Sequence, residues 1–350
     1  MSSALAPVRF SIVARSPEAH IFEVTCALDD PDPSGQAFRL PAWIPGSYLI
    51  REFARHVVTL RAASSGVPVA VSKTAKDTWQ CAPCAGPLVL TYDVYAWDLS
   101  VRGAHLDHTH AFFNGTSVFV TPVGMAQRAC EVTIARPAGD GYAQWRLVTS
   151  LPRIAAPAYG FGTFRAADYD ELIDHPVEMG TFTLGSFTAG GVRHDVAITG
   201  RHDCDIGRLC ADLERVCVEQ IDFFGGAALS APPMNYYAFL ITALGDAYGG
   251  LEHRASTALV CARDNLPRAG MKEATDNYIE FLGLASHEYF HTWNVKRIKP
   301  AAFVPYDLTR EAYTRQLWIF EGFTSYYDNL MLVRCGLITM EQYIGLLGQD

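Results

Sequence analysis

Up to about residue 190, apolar and polar positions alternate in short runs that Gly, Pro, Asp and Ser separate. Runs rich in β-branched and aromatic residues and bounded by turn formers are typical of half-buried strands. They predict strands at Val8–Val13, Ile21–Leu28, His56–Ala62, Leu88–Ala96, Ser117–Thr121, Glu131–Ala135 and Met179–Phe187. Because no long helical pattern interrupts them, we predict an N-terminal all-β domain, either a sandwich or an open sheet.

The pattern changes near Ala189-Gly190-Gly191. Elements of both kinds follow, with strands predicted at Val192–Thr199, Asn235–Leu244 and Ser256–Cys261, and helices at Asp205–Phe224 and from Asp276 onward. The helices are predicted from apolar residues that recur every three to four positions. The sequence therefore predicts an α+β fold, with an all-β domain over residues 1–188 and a mostly helical α+β domain over residues 189–350.

Composition excludes several classes of protein. The 350 residues are 49% hydrophobic and 19% charged, which is a globular composition, and the net charge of -9 argues against nucleic acid and anionic membranes as partners. The N-terminus lacks the basic and apolar regions of a signal peptide, and no apolar run is long enough to span a bilayer. Without a secretory signal, the nine scattered cysteines are interpreted as reduced thiols, so we predict a cytoplasmic protein.

The strongest chemical signal is a His-Glu-x-x-His motif formed by His287, Glu288 and His291 in the apolar run that begins near Tyr278. On a helix, residues four apart lie on one face, so the two imidazoles point to the same place. This arrangement is typical of a Zn²⁺ site with a glutamate placed to accept a proton from water. We predict His287 and His291 as zinc ligands and Glu288 as the general base.

A catalytic zinc site needs a third protein ligand. The candidates among the acidic residues after the motif are Asp307, Glu311, Glu321, Asp328 and Glu341. Glu321 lies in a largely apolar, aromatic helical stretch, where a carboxylate is costly unless it is paired or bound to metal, so we predict it as the third ligand. Ser325 and Asp328 follow on the same side of this helix and could orient a histidine ligand, but a solvated helix face explains them equally well.

The segment Tyr248–His253 precedes the motif and contains Gly249, Gly250 and Glu252. Adjacent glycines let a substrate backbone approach closely, and a carboxylate could bind the charged α-amino group of a peptide. An ion pair of this kind, at about 4 Å and an effective dielectric constant near 20, is worth roughly 4 kcal/mol. We therefore predict these three residues to bind substrate; a Gly-Gly turn with a solvated glutamate is the alternative.

Ser286–Pro300 (SHEYFHTWNVKRIKP) and Leu317–Asp328 (LWIFEGFTSYYD) resemble the glycyl aminopeptidase family of gluzincin zinc metallopeptidases, whose more distant relatives are thermolysin-like peptidases and aminopeptidase N. Trp43–Tyr48 and Tyr95–Phe119 are similar to the N-terminal β-domain of that family. The resemblance implies a β-rich domain, a thermolysin-like catalytic domain that is incomplete at Asp350, and usually a PDZ domain beyond it. It also implies a preference for N-terminal Gly or Ala.

In the related aminopeptidases a Gly-x-Met-Glu-Asn segment binds the amino terminus of the substrate. Here Leu251 replaces the methionine and His253 the asparagine, so the resemblance implies a role for Glu252 only. These relatives also stabilise the oxyanion with a tyrosine well downstream of the glutamate ligand. Tyr326 and Tyr327 are too close to Glu321 to take this role, so the resemblance implies that this tyrosine would follow Asp350.

The end of the chain falls within a predicted helix. Thr339 and Gln342 have the spacing of a capping box, which predicts a helix that begins near Met340 and has little room before Asp350. We therefore expect the natural protein to continue.

The function predicted from the sequence is a zinc aminopeptidase that acts on peptides with a free N-terminus. A thermolysin-like endopeptidase is the first alternative, and a non-catalytic, zinc-containing peptide-binding protein is the second. One further cluster stands apart from this site. His105, His108 and His110 surround Asp107 in the predicted β-domain, where a polar loop is the default interpretation and incidental metal binding is the alternative.

Overall fold

The computed structural model describes residues 5–225 and 232–348. The chain divides into two compact units. The first ends at Thr181 and also contains Asp307–Glu311, whereas the second begins at Phe182 and lacks that short segment. Within the first unit, the segment 307–311 is held by two hydrogen bonds, from Ala42 N to Leu308 O (2.8 Å) and from Trp43 Nε1 to Asp307 O (2.9 Å).

The described part of the first unit is built almost entirely of strands. They are β1 Val8–Ser16, β2 Ile21–Leu28, β3 Ala37–Arg39, β4 Val57–Ser64, β5 Val67–Val69, β6 Val71–Ala75, β7 Thr78–Cys81, β8 Leu88–Tyr95, β9 Ala104–Leu106, β10 His110–Phe113, β11 Thr121–Pro122, β12 Cys130–Ala135, β13 Arg146–Thr149, β14 Arg153–Ala155, β15 Gly162–Ala166 and β16 Val177–Gly180. Two short helices, α1 Gly115–Val118 and α2 Tyr169–Ile173, accompany 3₁₀ turns at Pro17–Ala19, Phe53–His56 and Asp140–Tyr142.

These strands form three sheets. An eight-stranded sheet has the order β14-β15-β12-β1-β2-β8-β4-β5, and two four-stranded sheets have the orders β13-β16-β10-β9 and β11-β3-β7-β6. In β1 and β2 alternate residues are buried, as the sequence pattern predicts for strands with one face in a core. Aromatic side chains fill that core: the rings of Phe10 and Phe22 contact those of Phe119 and Phe113, with centroids 5.1 and 5.7 Å apart.

The strand predicted at Ser117–Thr121 is wrong. Its first residues belong to α1, and only Thr121 lies in a strand, the two-residue β11. The turn forms because Asn114 O accepts hydrogen bonds from both the backbone N and the Oγ of Ser117. Gly115 allows it to pack closely, since a Cβ there would lie 2.7 Å from the Cα of Ile173. Tertiary packing thus overrides the local β-propensity.

The second unit contains one five-stranded sheet and four helices in its described part. Its strands are β17 Thr183–Ala189, β18 Val192–Gly200, β19 Tyr236–Leu244, β20 Tyr248–His253 and β21 Ser256–Ala262, and its helices are α3 Ile206–Phe223, α4 Asp276–Phe290, α5 Leu317–Arg334 and α6 Met340–Leu347. Two 3₁₀ turns lie at Arg263–Asn265 and Ala301–Phe303. The strand order is β17-β18-β19-β21-β20, with β18, β19 and β21 parallel and the two edge strands antiparallel.

The two units meet earlier in the chain than the boundary predicted after residue 188. The run predicted as one strand, Met179–Phe187, is two strands in different sheets, β16 and β17. Gly180, with φ of 154°, ends the first. The second pairs with β18 through the tight turn at Gly190-Gly191, so it belongs with the sheet that follows it.

Helix α4 occupies the centre of the second unit and packs on β20, β21, α3 and α5. The Thr275 side chain caps its first turn by accepting a hydrogen bond from Tyr278 N. Eleven of its fifteen residues are buried, and the exposed ones, Asp276, Asn277 and Glu280, lie in its first half. Gly283 permits the close approach of α5, because a Cβ at this position would lie 2.7 Å from Asn329 Oδ1.

Two further predictions can be compared with the structure. Thr339 and Gln342 form the predicted capping box at the start of α6. Within residues 5–225 and 232–348, no helix has the length and apolar character that crossing a bilayer requires.

Candidate active site

The last turn of α4 brings His287 and His291 together, and α5 brings Glu321 to them. The two Nε2 atoms lie 3.1 Å apart, and Glu321 Oε2 lies 3.5 Å from His287 Nε2 and 3.6 Å from His291 Nε2. Three ligand atoms from two helices therefore converge on one point, with His291 fully enclosed and the other two residues partly exposed.

The donor set suits a zinc ion. Zinc bonds to nitrogen and oxygen are about 2.1 Å long, so two ligands of a tetrahedral ion are roughly 3.4 Å apart. The three observed separations, 3.1, 3.5 and 3.6 Å, lie around this value. Two imidazoles and one carboxylate are also a donor set that catalytic zinc uses, since it leaves a fourth position for water or substrate.

The other nitrogen of each imidazole has a hydrogen-bond acceptor. His287 Nδ1 lies 3.1 Å from Asp328 Oδ2, and His291 Nδ1 lies 2.8 Å from the backbone oxygen of Asn294. With Nδ1 as the donor, Nε2 carries the lone pair that a metal requires. Of the two candidates for this orienting role, Asp328 makes the contact, whereas Ser325 is exposed.

Asn294 connects the two halves of the cluster and was not identified from the sequence. Its side-chain amide donates to Ile319 O (3.3 Å), Phe320 O (3.3 Å) and Thr324 Oγ1 (3.2 Å) at the start of α5. The same residue thus orients His291 and anchors the helix turn that carries Glu321. The motif spacing does not reveal it, because its contact with the histidine is through a backbone oxygen.

A second buried contact ties the helices together behind the histidines. Ser286 Oγ donates to the backbone oxygen of Asp328 (2.8 Å), and Gln220 Nε2 of α3 donates to both Ser286 O (2.9 Å) and Ser286 Oγ (2.8 Å). Buried hydrogen bonds between helices favour one arrangement of those helices over others. These bonds therefore fix the register of α5 against α4, on which the position of Glu321 depends.

Glu288 is enclosed beside the two imidazoles. It is 5% exposed, and its Oε2 atom is buried with no hydrogen-bond partner. A buried carboxylate oxygen without a donor is costly and is characteristic of a group whose partner arrives with the substrate.

Burial, hydrogen bonds and neighbouring charges together shift the pKa values of His287, His291 and Glu288. Burial lowers the pKa of His287, but hydrogen bonds with Asp328 and Glu321 outweigh it and raise the pKa to about 10. Burial also lowers the pKa of His291, and the hydrogen bond with Glu321 raises it overall. Burial raises the pKa of Glu288, and the charges of the two histidines offset this in part. Carboxylates that favour a proton on these imidazoles also favour a divalent cation, so proton and cation compete for the site.

Strand β20 borders the cluster. The segment was considered as a possible Gly-Gly turn, but it is an edge strand paired with β21, in the register Gly250↔Leu259 and Glu252↔Thr257. Because successive residues of a strand face opposite sides, Gly250 and Glu252 share one face and Gly249 lies on the other. A Cβ at Gly250 would lie 2.5 Å from the Cδ of Glu288, so this face points at the cluster.

Glu252 reaches the same place from this strand. It is 4% exposed, so the alternative of a solvated glutamate is wrong. Ligand atoms of Glu252, Glu288 and His291 all lie within 4.8 Å of one another. The structure therefore places Glu288, Gly250 and Glu252 beside the three candidate metal ligands. Of the predicted site residues, only Gly249 faces away from the cluster.

Gly250 contacts Glu288, whereas the sequence predicts that it contacts the substrate. The sequence suggested that both glycines let a substrate backbone come close, but the space at Gly250 is taken by the side chain of Glu288. The missing Cβ thus makes room for a residue of the cluster itself. Nothing in the local pattern distinguishes these two glycines, because the distinction depends on which face of β20 meets α4.

Both the sequence and the fold of this chain are similar to those of known peptidases. The N-terminal domain model of the M61 peptidases matches residues 9–181, and the M61 glycyl aminopeptidase model matches residues 280–350. The structure is similar to that of an aminopeptidase N family protein from Idiomarina loihiensis, with a TM-score of 0.94 and 42% identity over 97% of this chain and 57% of that chain. This chain thus spans a little over half the length of that relative. No curated protein matches significantly.

More distant structures share the fold alone. A two-domain M1 zinc metallopeptidase bound to L-arginine has a TM-score of 0.53 at 14% identity, over 95% of this chain and 71% of that chain. The M1 zinc metallopeptidase from Deinococcus radiodurans has a TM-score of 0.51 at 14% identity, over 95% of this chain and 70% of that chain. The predicted order of a β-rich domain before a helical part is confirmed, as is the resemblance stated above. The chain belongs to the M61 glycyl aminopeptidase family.

Proposed function

We propose that the second unit carries the active site of a zinc-dependent aminopeptidase, which removes small N-terminal residues such as Gly and Ala from peptides. His287, His291 and Glu321 hold Zn²⁺, Glu288 is the general base, and Glu252 binds the α-ammonium group of the substrate. The observation that carries the proposal is the buried Glu252 carboxylate, within 4.8 Å of Glu288 and His291. The preference for Gly is supported by the glycyl aminopeptidase model that the chain matches, and Ala is included because it is the next larger side chain.

Glu288 performs the proton transfers. When bound, zinc supplies Lewis-acid activation of the scissile carbonyl and makes water more acidic. One carboxylate oxygen of Glu288 accepts a proton from the attacking water and later delivers it to the nitrogen of the leaving amine. Enclosure of this carboxylate, with one oxygen unpartnered, supports this role because bulk water does not compete for it.

Glu252 decides which end of a peptide is cut. A second buried carboxylate beside Glu288 disfavours a neutral peptide chain passing through the site and favours a terminal ammonium group there. Cleavage is then directed to the first peptide bond, since the amino terminus is held beside Glu288 and His291. An endopeptidase does not need Glu252, because its substrate presents no ammonium group at this position. A non-catalytic binding protein does not need a general base such as Glu288.

Glu252→Ala is the test of the aminopeptidase proposal. We expect kcat/KM for glycyl and alanyl anilides to fall by about 10³-fold, the equivalent of roughly 4 kcal/mol for one ion pair. The measurement compares free and N-acetylated anilides of Gly, Ala and Leu, using zinc-loaded protein. The wild type should cleave only the free forms, while Glu341→Ala, which removes an exposed glutamate of α6, should change neither rate.

The alternatives give different results. Equal cleavage of free and acetylated substrates by the wild type would favour the endopeptidase. Zinc binding without cleavage of any anilide or longer peptide would favour the non-catalytic protein. Full activity of Glu252→Ala on free anilides would leave the aminopeptidase without its proposed anchor.

Asp328→Ala should weaken zinc binding by about 10–100-fold, because the partner of His287 Nδ1 orients the imidazole and increases its basicity. Competition with a chromogenic zinc chelator measures this affinity directly. Ser325→Ala is the matched control, since Ser325 is exposed on the same helix. Equal affinities of both variants and the wild type would show that Asp328 does not support the metal.

A further inference from the structure

A second group of metal-ligating side chains lies in the first unit, on the hairpin of β9 and β10. The register pairs His105 with Phe112 and Leu106 with Ala111, and Asp107 N donates to His110 O (3.0 Å) at the turn. Since alternate residues of paired strands share a face, His105, Asp107 and His110 lie on the same face of the hairpin. One ligand atom from each lies within 4.8 Å of those of the other two.

The separation within this cluster fits metal ligands better than a hydrogen bond. His105 Nε2 and Asp107 Oδ2 are 3.4 Å apart. Good N–H···O bonds span about 2.7–3.2 Å, whereas two ligands of a tetrahedral zinc ion are roughly 3.4 Å apart. The candidate ligands on α4 and α5 show similar separations, 3.1–3.6 Å.

The carboxylate of Asp107 is already oriented for such a role. Its Oδ1 atom accepts hydrogen bonds from Thr109 N (2.6 Å), Thr109 Oγ1 (2.6 Å) and His110 N (3.0 Å). These bonds fix the carboxylate within the turn and leave Oδ2 facing His105.

His110 has the same kind of support as His287. Its Nδ1 lies 3.1 Å from Oε1 of Glu178, a β16 residue that is 2% exposed. A carboxylate on one imidazole nitrogen fixes the tautomer that leaves the other nitrogen free to bind a metal.

His105 is enclosed and is held mainly by ring contacts. It is 2% exposed, and its Nδ1 is buried without a hydrogen-bond partner. Its ring is held by contacts with Trp97 and His110, with centroids 4.9 and 4.8 Å away. Its Nε2 has only the 3.4 Å approach to Asp107. Nε2 is therefore the ring nitrogen placed to bind a metal together with Asp107, and its 3.4 Å contact is too long to be a strong hydrogen bond.

We propose that His105, Asp107 and His110 bind a divalent transition-metal ion of the zinc class, with Glu178 as the residue that positions His110. Two imidazoles and one carboxylate favour Zn²⁺ over Mg²⁺ or Ca²⁺, which prefer oxygen ligands. The ion links β9, the turn and β10 through these three side chains and so stabilises the hairpin. This site is distinct from the one formed by His287, His291 and Glu321, and does not depend on its activity.

The test is metal stoichiometry of the full chain, equilibrated with Zn²⁺, freed of excess by gel filtration and measured by mass spectrometry of the metal. We expect about two zinc ions per wild-type chain, one for each His₂-carboxylate group. We expect Asp107→Asn and His105→Gln each to lower the zinc content by one ion per chain. Asn at position 107 keeps the shape of the side chain and the oxygen that accepts the hydrogen bonds of the turn. His108→Ala, in the same turn but exposed, should leave both ions bound.

The His291→Ala variant separates this proposal from the proposed function. The His291→Ala variant should retain one zinc ion per chain. When it is loaded with Co²⁺ instead, it should absorb visible light, and the double variant with Asp107→Asn should not. One zinc per wild-type chain, or an unchanged content in Asp107→Asn and His105→Gln, would overturn the second site whatever happens to peptide hydrolysis. Loss of hydrolysis with two ions bound would instead count against the proposed function alone.

Discussion

Glu288→Gln is expected to lower kcat for glycyl anilides by about 10²–10⁴-fold, the range that a general base contributes. Glutamine has the same shape but cannot accept a proton at this position. Zinc content should be unchanged, because the three proposed ligands are His287, His291 and Glu321. The measurement pairs kcat with metal analysis of the same sample.

The enclosure of Glu288 makes this variant informative. Its side chain is 5% exposed, so little of the carboxylate is open to a base from bulk solvent. Glu341→Gln, an identical change on an exposed residue of α6, should retain both activity and zinc. Near-normal kcat in Glu288→Gln would exclude Glu288 as the base, and loss of zinc would mean that it acts as a ligand.

Gly250→Ala is expected to lower kcat by about 10²-fold or more, because the new methyl group would collide with Glu288. A Cβ at this position would lie 2.5 Å from the Cδ and 2.6 Å from the Cγ of Glu288, and real Cβ atoms do not come this close. The glutamate must move, and a displacement of about 1 Å at a reacting group costs on the order of 10²-fold in rate. Activity and zinc content are again measured together.

Gly322→Ala provides the matched control. Gly322 directly follows Glu321 on α5, but a Cβ there would meet nothing within 4 Å. This variant should be as active as the wild type, and slightly more stable because Ala favours helix by about 1 kcal/mol over Gly. Equal activity of both alanine variants would contradict the contact between Gly250 and Glu288. An increase in KM with unchanged kcat in Gly250→Ala would instead support the original interpretation, in which this glycine faces the substrate.

Much of the candidate site could be predicted because it depends on helix geometry. The spacing of His287 and His291 places both on one helix face, whatever surrounds them. Glu321 was chosen for its chemistry, as a carboxylate in an apolar helix. The structure brings it within 3.6 Å of both imidazoles. Local rules apply here because each helix is continuous over the residues that matter, Asp276–Phe290 and Leu317–Arg334.

Other parts could not be predicted, because they depend on contacts between distant segments. Asn294 acts through its backbone oxygen, which carries no sequence signal. Asp328 could be separated from Ser325 only by the packing of α5 against α4. The error at Ser117–Thr121 has a similar cause, since a β-branched stretch turns into a short helix where Gly115 meets Ile173.

By itself, the sequence determined the zinc-type motif, the order of a β-rich and a helical part, and the family to which both belong. Those features follow from spacing along single elements, which backbone geometry alone sets. The packing of the folded chain sets which glycine faces Glu288 and which residue orients each histidine, and it buries Glu252 beside them. These depend on how β20 and α5 lie against α4, and packing across a core is specified by many weak contacts together rather than by any local pattern.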